Sequence, residues 1–134
     1  MTNYFKYVVY LVVLFGVSLA NAGSYDEFFA ALQRDDAVQV RQLIVRGFDP
    51  NTVSPKGEYA LIVAVRQESF KVIDALLLNH TTKAEVRTSS DESPLMLAAL
   101  KGYLAVCEAL ISHDADINKP GWAPLHYAAT GGHL

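Results

Sequence analysis

The feature that most restricts this chain is that it repeats itself. Tyr59-Ala60-Leu61-Ile62-Val63-Ala64, Ser93-Pro94-Leu95-Met96-Leu97-Ala98-Ala99 and Ala123-Pro124-Leu125-His126-Tyr127-Ala128-Ala129 share the pattern x-(Pro/Ala)-Leu-x-x-Ala. A second apolar segment follows the first two copies: Val72-Ile73 with Leu76-Leu77, then Val106-Cys107 with Leu110-Ile111. Val40 with Leu43-Ile44 is an earlier copy of that segment. Val40 to Ile73 is 33 residues and Ile73 to Cys107 is 34. A period of this length marks a solenoid, whose units bury their apolar faces only against one another.

Within each copy the apolar residues recur at three- and four-residue spacing, which is helical. Pro94 and Pro124 fall where the first helical turn has no use for an N–H, and Ser93 is placed to cap that helix. Ala98, Ala99, Ala128 and Ala129 are small enough for neighbouring helices to approach closely. The second helices are expected to stop near Gly47, His80 and Asp114, in left-handed backbone, for which glycine is best suited and His and Asp are tolerated. Each unit is therefore two antiparallel helices and a loop. The fold class expected is all-α.

The motifs resemble those of ankyrin repeats. Ala123 to Ala129 is one substitution from that family's Thr-Pro-Leu-His-x-Ala-Ala. Leu110-Ile111 through Asp114-Ala115-Asp116-Ile117-Asn118 is similar to the family's Leu-Leu-x-x-Gly-Ala-Asp-Val-Asn, and Arg46-Gly47-Phe48-Asp49-Pro50-Asn51 echoes it. The resemblance covers roughly residues 25–134. It implies an ankyrin solenoid of helix pairs joined by β-turn fingers: a capping repeat over about 25–55, repeats over 56–89 and 90–120, and an incomplete repeat over 121–134. It also implies a non-enzymatic surface that binds another protein. By the family's pattern the concave groove is lined by Val63, Arg66, Gln67, Leu97, Leu100, Lys101, Tyr127 and Thr130. Lys56, Glu58, Arg87, Ser90, Asp91, Glu92, Lys119 and Trp122 rim it from the fingers, with Trp122 a candidate anchor. Leu97 and Leu100 are apolar at positions expected to face solvent. His126 matches a histidine that in the family ties adjacent repeats rather than doing chemistry.

Connection lengths add to this. Asn51 to Tyr59 is 8 steps, Ala84 to Ser93 is 9 and Asn118 to Ala123 is 5. Variation confined to one face marks that face as the partner-facing one. At the far end the chain reaches Leu134 where a second helix is due, so the expectation is a truncated open reading frame or a fragment, with a frayed last half-repeat as the alternative.

Ahead of the repeats lies Tyr7 to Ala20, almost wholly apolar, preceded by Lys6 and followed by Ala20-Asn21-Ala22. That is the order of a secretory signal, with cleavage after Ala22 making Gly23 the first mature residue. Fourteen residues at ~1.5 Å rise span about 21 Å, short of the ~30 Å hydrocarbon core. An uncleaved membrane anchor is the alternative. The expected location is periplasmic or secreted.

Composition closes several other routes. The net charge is −3, from 11 basic and 14 acidic residues, with no basic surplus to bind a phosphate backbone. The lone Cys107, aligned with core positions Val40 and Ile73, forms no disulfide framework and is expected to be buried and inert. His80, His113 and His133 show no metal-ligand spacing. Asp91-Glu92 and Asp114 with Asp116 fall in a finger and at a helix end, where carboxylates cap and solvate. Asn79-His80-Thr81 fits the N-glycosylation pattern, a weak signal on its own. No cofactor or metal is expected, and the protein is expected to be a monomer; an enzyme or a ligand or cofactor binder using the groove residues His126 and Tyr127 is the less favoured alternative.

Overall fold

A computed structural model describes residues 23–113. The signal segment and its Ala20 and Ala22, and everything from Asp114 onward, lie outside the described residues. Within them are α1 (residues 23–33), α2 (Ala37–Val45), α3 (Ala60–Arg66), α4 (Phe70–Leu78), α5 (Pro94–Lys101) and α6 (Leu104–Ser112). Among the described residues there is no strand, only an isolated antiparallel bridge between Val53 and Tyr59. The fold is the expected all-α stack of helix pairs.

Three inner helices (α1, α3, α5) and three outer ones (α2, α4, α6) form two layers. α3 packs on α5, α2 on α4, and α4 on α6. One apolar cluster runs through all three pairs, from Phe28 and Leu32 through Leu61, Ile62 and Ile73 to Leu95 and Leu110. Ala31, Ala60, Ala64 and Ala98 are wholly buried, and their small side chains let the layers approach. Helix starts follow local chemistry. Ser93 Oγ accepts the Met96 N–H at 3.1 Å with Pro94 in the first turn, and the Asp36 side chain accepts the Gln39 N–H at 3.1 Å.

The turn inside each pair needs a left-handed residue, and three repeat-equivalent positions supply it: Asp35 at φ 55°, Glu68 at φ 59° and Gly102 at φ 75°. Only the last is the residue type that adopts this backbone without strain. The other two use their side chains between repeats. Asp35 Oδ1 accepts the Val72 N–H at the start of α4 at 2.9 Å, and Glu68 accepts the Tyr103 hydroxyl. Ser69, buried beside this turn, donates its hydroxyl to the Leu32 carbonyl.

Two expectations about loops are corrected. Gly47 is left-handed as expected, at φ 104°, but His80 is not among the residues of positive φ. Instead α4 closes on an extended Asn79, whose Oδ1 accepts the Thr81 N–H at 3.0 Å and the Thr81 hydroxyl at 2.7 Å. This side-chain turn takes up one extra residue, so the added step lies at the end of α4 and not in the finger. The fingers themselves match at a spacing of 34: Ser54 N–H to Glu58 carbonyl at 2.7 Å and Thr88 N–H to Glu92 carbonyl at 3.0 Å, with Gly57 and Asp91 both left-handed. Asn51 ties the loops together, donating to the Thr81 carbonyl at 2.9 Å and accepting the Lys83 N–H at 2.7 Å.

Cys107 also departs from expectation. Val40 and Ile73 are wholly buried, but Cys107 is only half-buried. Later helices cover the first two; among the described residues none follows α6.

Candidate interaction surface

α3 and α5 begin directly after the fingers, and between α1, α3 and the first finger lies an open hollow of about 540 Å³. Its floor is apolar, with Phe29 and Ala30 from α1 and Val63 from α3. Phe29 is held by its neighbours: its ring centroid is 5.3 Å from that of Phe28, edge-on, and 5.0 Å from that of Tyr25. Tyr25 in turn donates its hydroxyl to the Val53 carbonyl at 2.9 Å, fixing α1 to the base of the finger. The wall is polar, with Lys56 and Glu58 from the finger and Arg66 and Gln67 from the end of α3.

Three of the residues expected in the groove, Val63, Arg66 and Gln67, are therefore brought together here. Arg66 is not a free cation. Its Nε meets Glu58 Oε2 at 2.8 Å, and its Nη2 lies 4.0 Å from Glu92 Oε1. Glu58 and Glu92 are matching positions of successive fingers, so this guanidinium links the two.

Further along, the expectation fails for one residue. Leu97 does not face solvent: it is 4% exposed and belongs to the central cluster, because α5 is packed between α3 and α6. Leu100 and Lys101 are half-buried, and the Lys101 ammonium sits 5.8 Å from the Tyr103 ring centroid. In the second finger Arg87 pairs with Glu85 at 2.8 Å and lies 3.9 Å from Asp91 Oδ1, and the Ser90 N–H donates to Thr88 Oγ1 at 3.2 Å. The carboxylates Asp91 and Glu92 thus sit beside guanidinium groups. Lys119, Trp122, His126, Tyr127 and Thr130 lie outside the described residues.

The α1 side of the hollow was not foreseen, since α1 lacks the Pro-Leu-His line and reads as a polar cap. The signal was the spacing: Ala30 and Gln33 stand 33 residues before Val63 and Arg66, the interval that also separates Asp35 from Glu68.

Two groups have shifted acidities. The Tyr103 hydroxyl is pushed up to about 12 by burial, aided by its hydrogen bond to Glu68 and that carboxylate's charge. Burial raises the Cys107 thiol, with the Glu108 charge adding to the effect. Among the described residues no three His, Cys, Asp or Glu side chains are grouped to hold a metal ion, and no helix is long and apolar enough to cross a membrane.

The sequence matches the family model for ankyrin repeats (three copies) over residues 28–120 and 83–134. It is similar to the ankyrin repeat and KH domain-containing protein mask of Drosophila melanogaster, 29% identical over 102 residues, covering 73% of this chain and 2% of that protein. Similarity to the neurogenic locus notch homolog protein 1 of Mus musculus is 32% over 103 residues, covering 75% of this chain and 4% of that protein. Glycerophosphocholine phosphodiesterase gde1 of Schizosaccharomyces pombe is 29% identical over 98 residues, covering 71% and 9%. The chain spans less than a tenth of the length of these relatives.

Proposed function

Because the chain belongs to the ankyrin-repeat family, we propose that it is an exported, non-enzymatic module that holds another protein in the groove beneath its fingers. Ankyrin repeats are in general protein–protein interaction modules, and the family is in general non-enzymatic. The observation that carries the reading for this chain is the hollow in which Val63 and Gln67 meet the first finger over an apolar floor. Its walls are fixed before any partner arrives, by Tyr25 on Val53 and Arg66 on Glu58, which lowers the ordering cost of association.

The carboxylates of the fingers are engaged with arginines, and the cysteine is held in its thiol form. That supports binding rather than catalysis. The phosphodiesterase activity in one relative's name is that of a protein of which the aligned part is 9%. Export is proposed from the apolar run and Ala20-Asn21-Ala22, with a periplasmic or secreted destination and Gly23 as the mature start. The same run retained as an anchor gives a membrane-tethered scaffold, and the mass of the mature protein separates the two.

The test is a photo-cross-linking residue placed at Gln67 or, as a control, at Arg41 on the outer layer, in the full chain expressed in its own host. A protein adduct at Gln67 and none at Arg41 supports groove binding. Adducts at Arg41 alone overturn it.

A further inference from the structure

The groove reading leaves open what kind of segment fits, and the following rests on that reading. In the hollow, every charged or amide side chain is either committed or free. Arg66 and Glu58 neutralise each other. Among the described residues Lys56 and Asp26 form no ion pair or hydrogen bond, and both are exposed at the finger end of the hollow. Gln33 at the end of α1 and Gln67 just after α3, both exposed, are likewise uncommitted at the opposite end. Between the two ends lies the apolar floor of Phe29, Ala30 and Val63, beside the Arg66–Glu58 pair on the wall.

We propose that this furrow takes an extended polypeptide segment with one apolar anchor side chain, a pair of opposite charges beside the anchor, and bare peptide groups beyond it. Each part follows from the chemistry of the wall. The floor accepts an apolar side chain and nothing that needs a hydrogen bond. An amide side chain both donates and accepts, which suits the N–H and C=O of a chain with no secondary structure of its own. The single uncompensated cation, Lys56, faces an acidic residue of the segment, and Asp26 faces a basic one. A phosphate-rich ligand is disfavoured by the same arrangement, because the carboxylate of Asp26 lines the same hollow and Arg66 is already paired with Glu58. Length agrees as well. The 7 residues of α3 rise about 10 Å, the span of about three extended residues.

The probe is a phage-displayed library of random peptides selected on the full chain, followed by titration of the enriched peptides. The expected motif is an apolar residue flanked by one acidic and one basic residue. Binding should fall by about tenfold or more in Lys56→Glu, and a selection repeated on Lys56→Glu should return a basic residue in place of the acidic one. Val63→Arg should abolish binding, with Gln67→Arg as a second blocking variant at an exposed position that folding does not need. Peptides blocked by Gln67→Arg but indifferent to Lys56→Glu and Asp26→Lys overturn this inference and leave groove binding standing. Peptides indifferent to Val63→Arg and Gln67→Arg overturn both, as does a failure to enrich any peptide.

Discussion

Glu68 offers a sharp test of how the repeats are joined. It sits at φ 59°, where a side chain is strained, and its carboxylate accepts the Tyr103 hydroxyl from the next repeat. Glu68→Gly and Glu68→Ala both delete that carboxylate, so the difference between them isolates the backbone. In left-handed backbone an alanine costs about 1–2 kcal/mol that glycine does not. Glycine's greater freedom in the unfolded chain takes back about 0.4–1 kcal/mol. The Gly variant should therefore be the more stable by roughly 1 kcal/mol, the reverse of the order inside a helix. Relative to the parent, Glu68→Gly should be nearly neutral, since lost strain and a lost half-exposed hydrogen bond of about 0.5–1.5 kcal/mol oppose each other. Urea unfolding of the three proteins, followed by circular dichroism, reads this directly. An alanine variant as stable as the glycine variant, or more so, would refute the reasoning.

Four further outcomes are expected. Leu97→Lys should destabilise the fold by several kcal/mol, on the scale of burying an unpaired charge, whereas Leu100→Lys should change the urea midpoint little; similar midpoints would contradict the burial of Leu97. Leu76→Ala, at a wholly buried position of α4, should cost about 2–5 kcal/mol in the same assay. Cys107 should react with iodoacetamide at neutral pH several-fold more slowly than a free cysteine, because a raised pKa leaves less thiolate; the reaction should match the free rate once the chain is unfolded. Tyr103 should ionise at about 12, seen by ultraviolet absorbance, and Glu68→Gln should lower that value without restoring 10, since burial is the larger cause. A raised folded-state value means that this contribution to stability is complete below about 10 and is lost as the pH climbs through about 12.

The architecture was legible because a solenoid writes itself into the sequence more than once. Val40 and Ile73, two copies of one core position, are both wholly buried, and Ser93 with Pro94 caps α5 as their order predicts. What was hidden depended on contacts between repeats. Nothing local in Leu97 tells that α3 and α6 enclose it. The left-handed turns at Asp35 and Glu68 were obscured because neither is glycine, and only Val72 and Tyr103, in the next repeat, reveal their use. His80 misled for a related reason: one extra residue at the end of α4 let Asn79 and Thr81 close the helix by side-chain hydrogen bonds instead. Half of the candidate site, Val63, Arg66 and Gln67, came from the resemblance to the family; the other half, on α1, needed the 33-residue register to be carried back to a copy without the motif.

Hydrogen exchange of the full chain, with and without the protein cross-linked through Gln67, tests the central claim most directly. Slowed exchange confined to α1, the first finger and α3, with α2 and α4 unchanged, is the outcome predicted. Protection on α2 and α4 with none at the finger would contradict it.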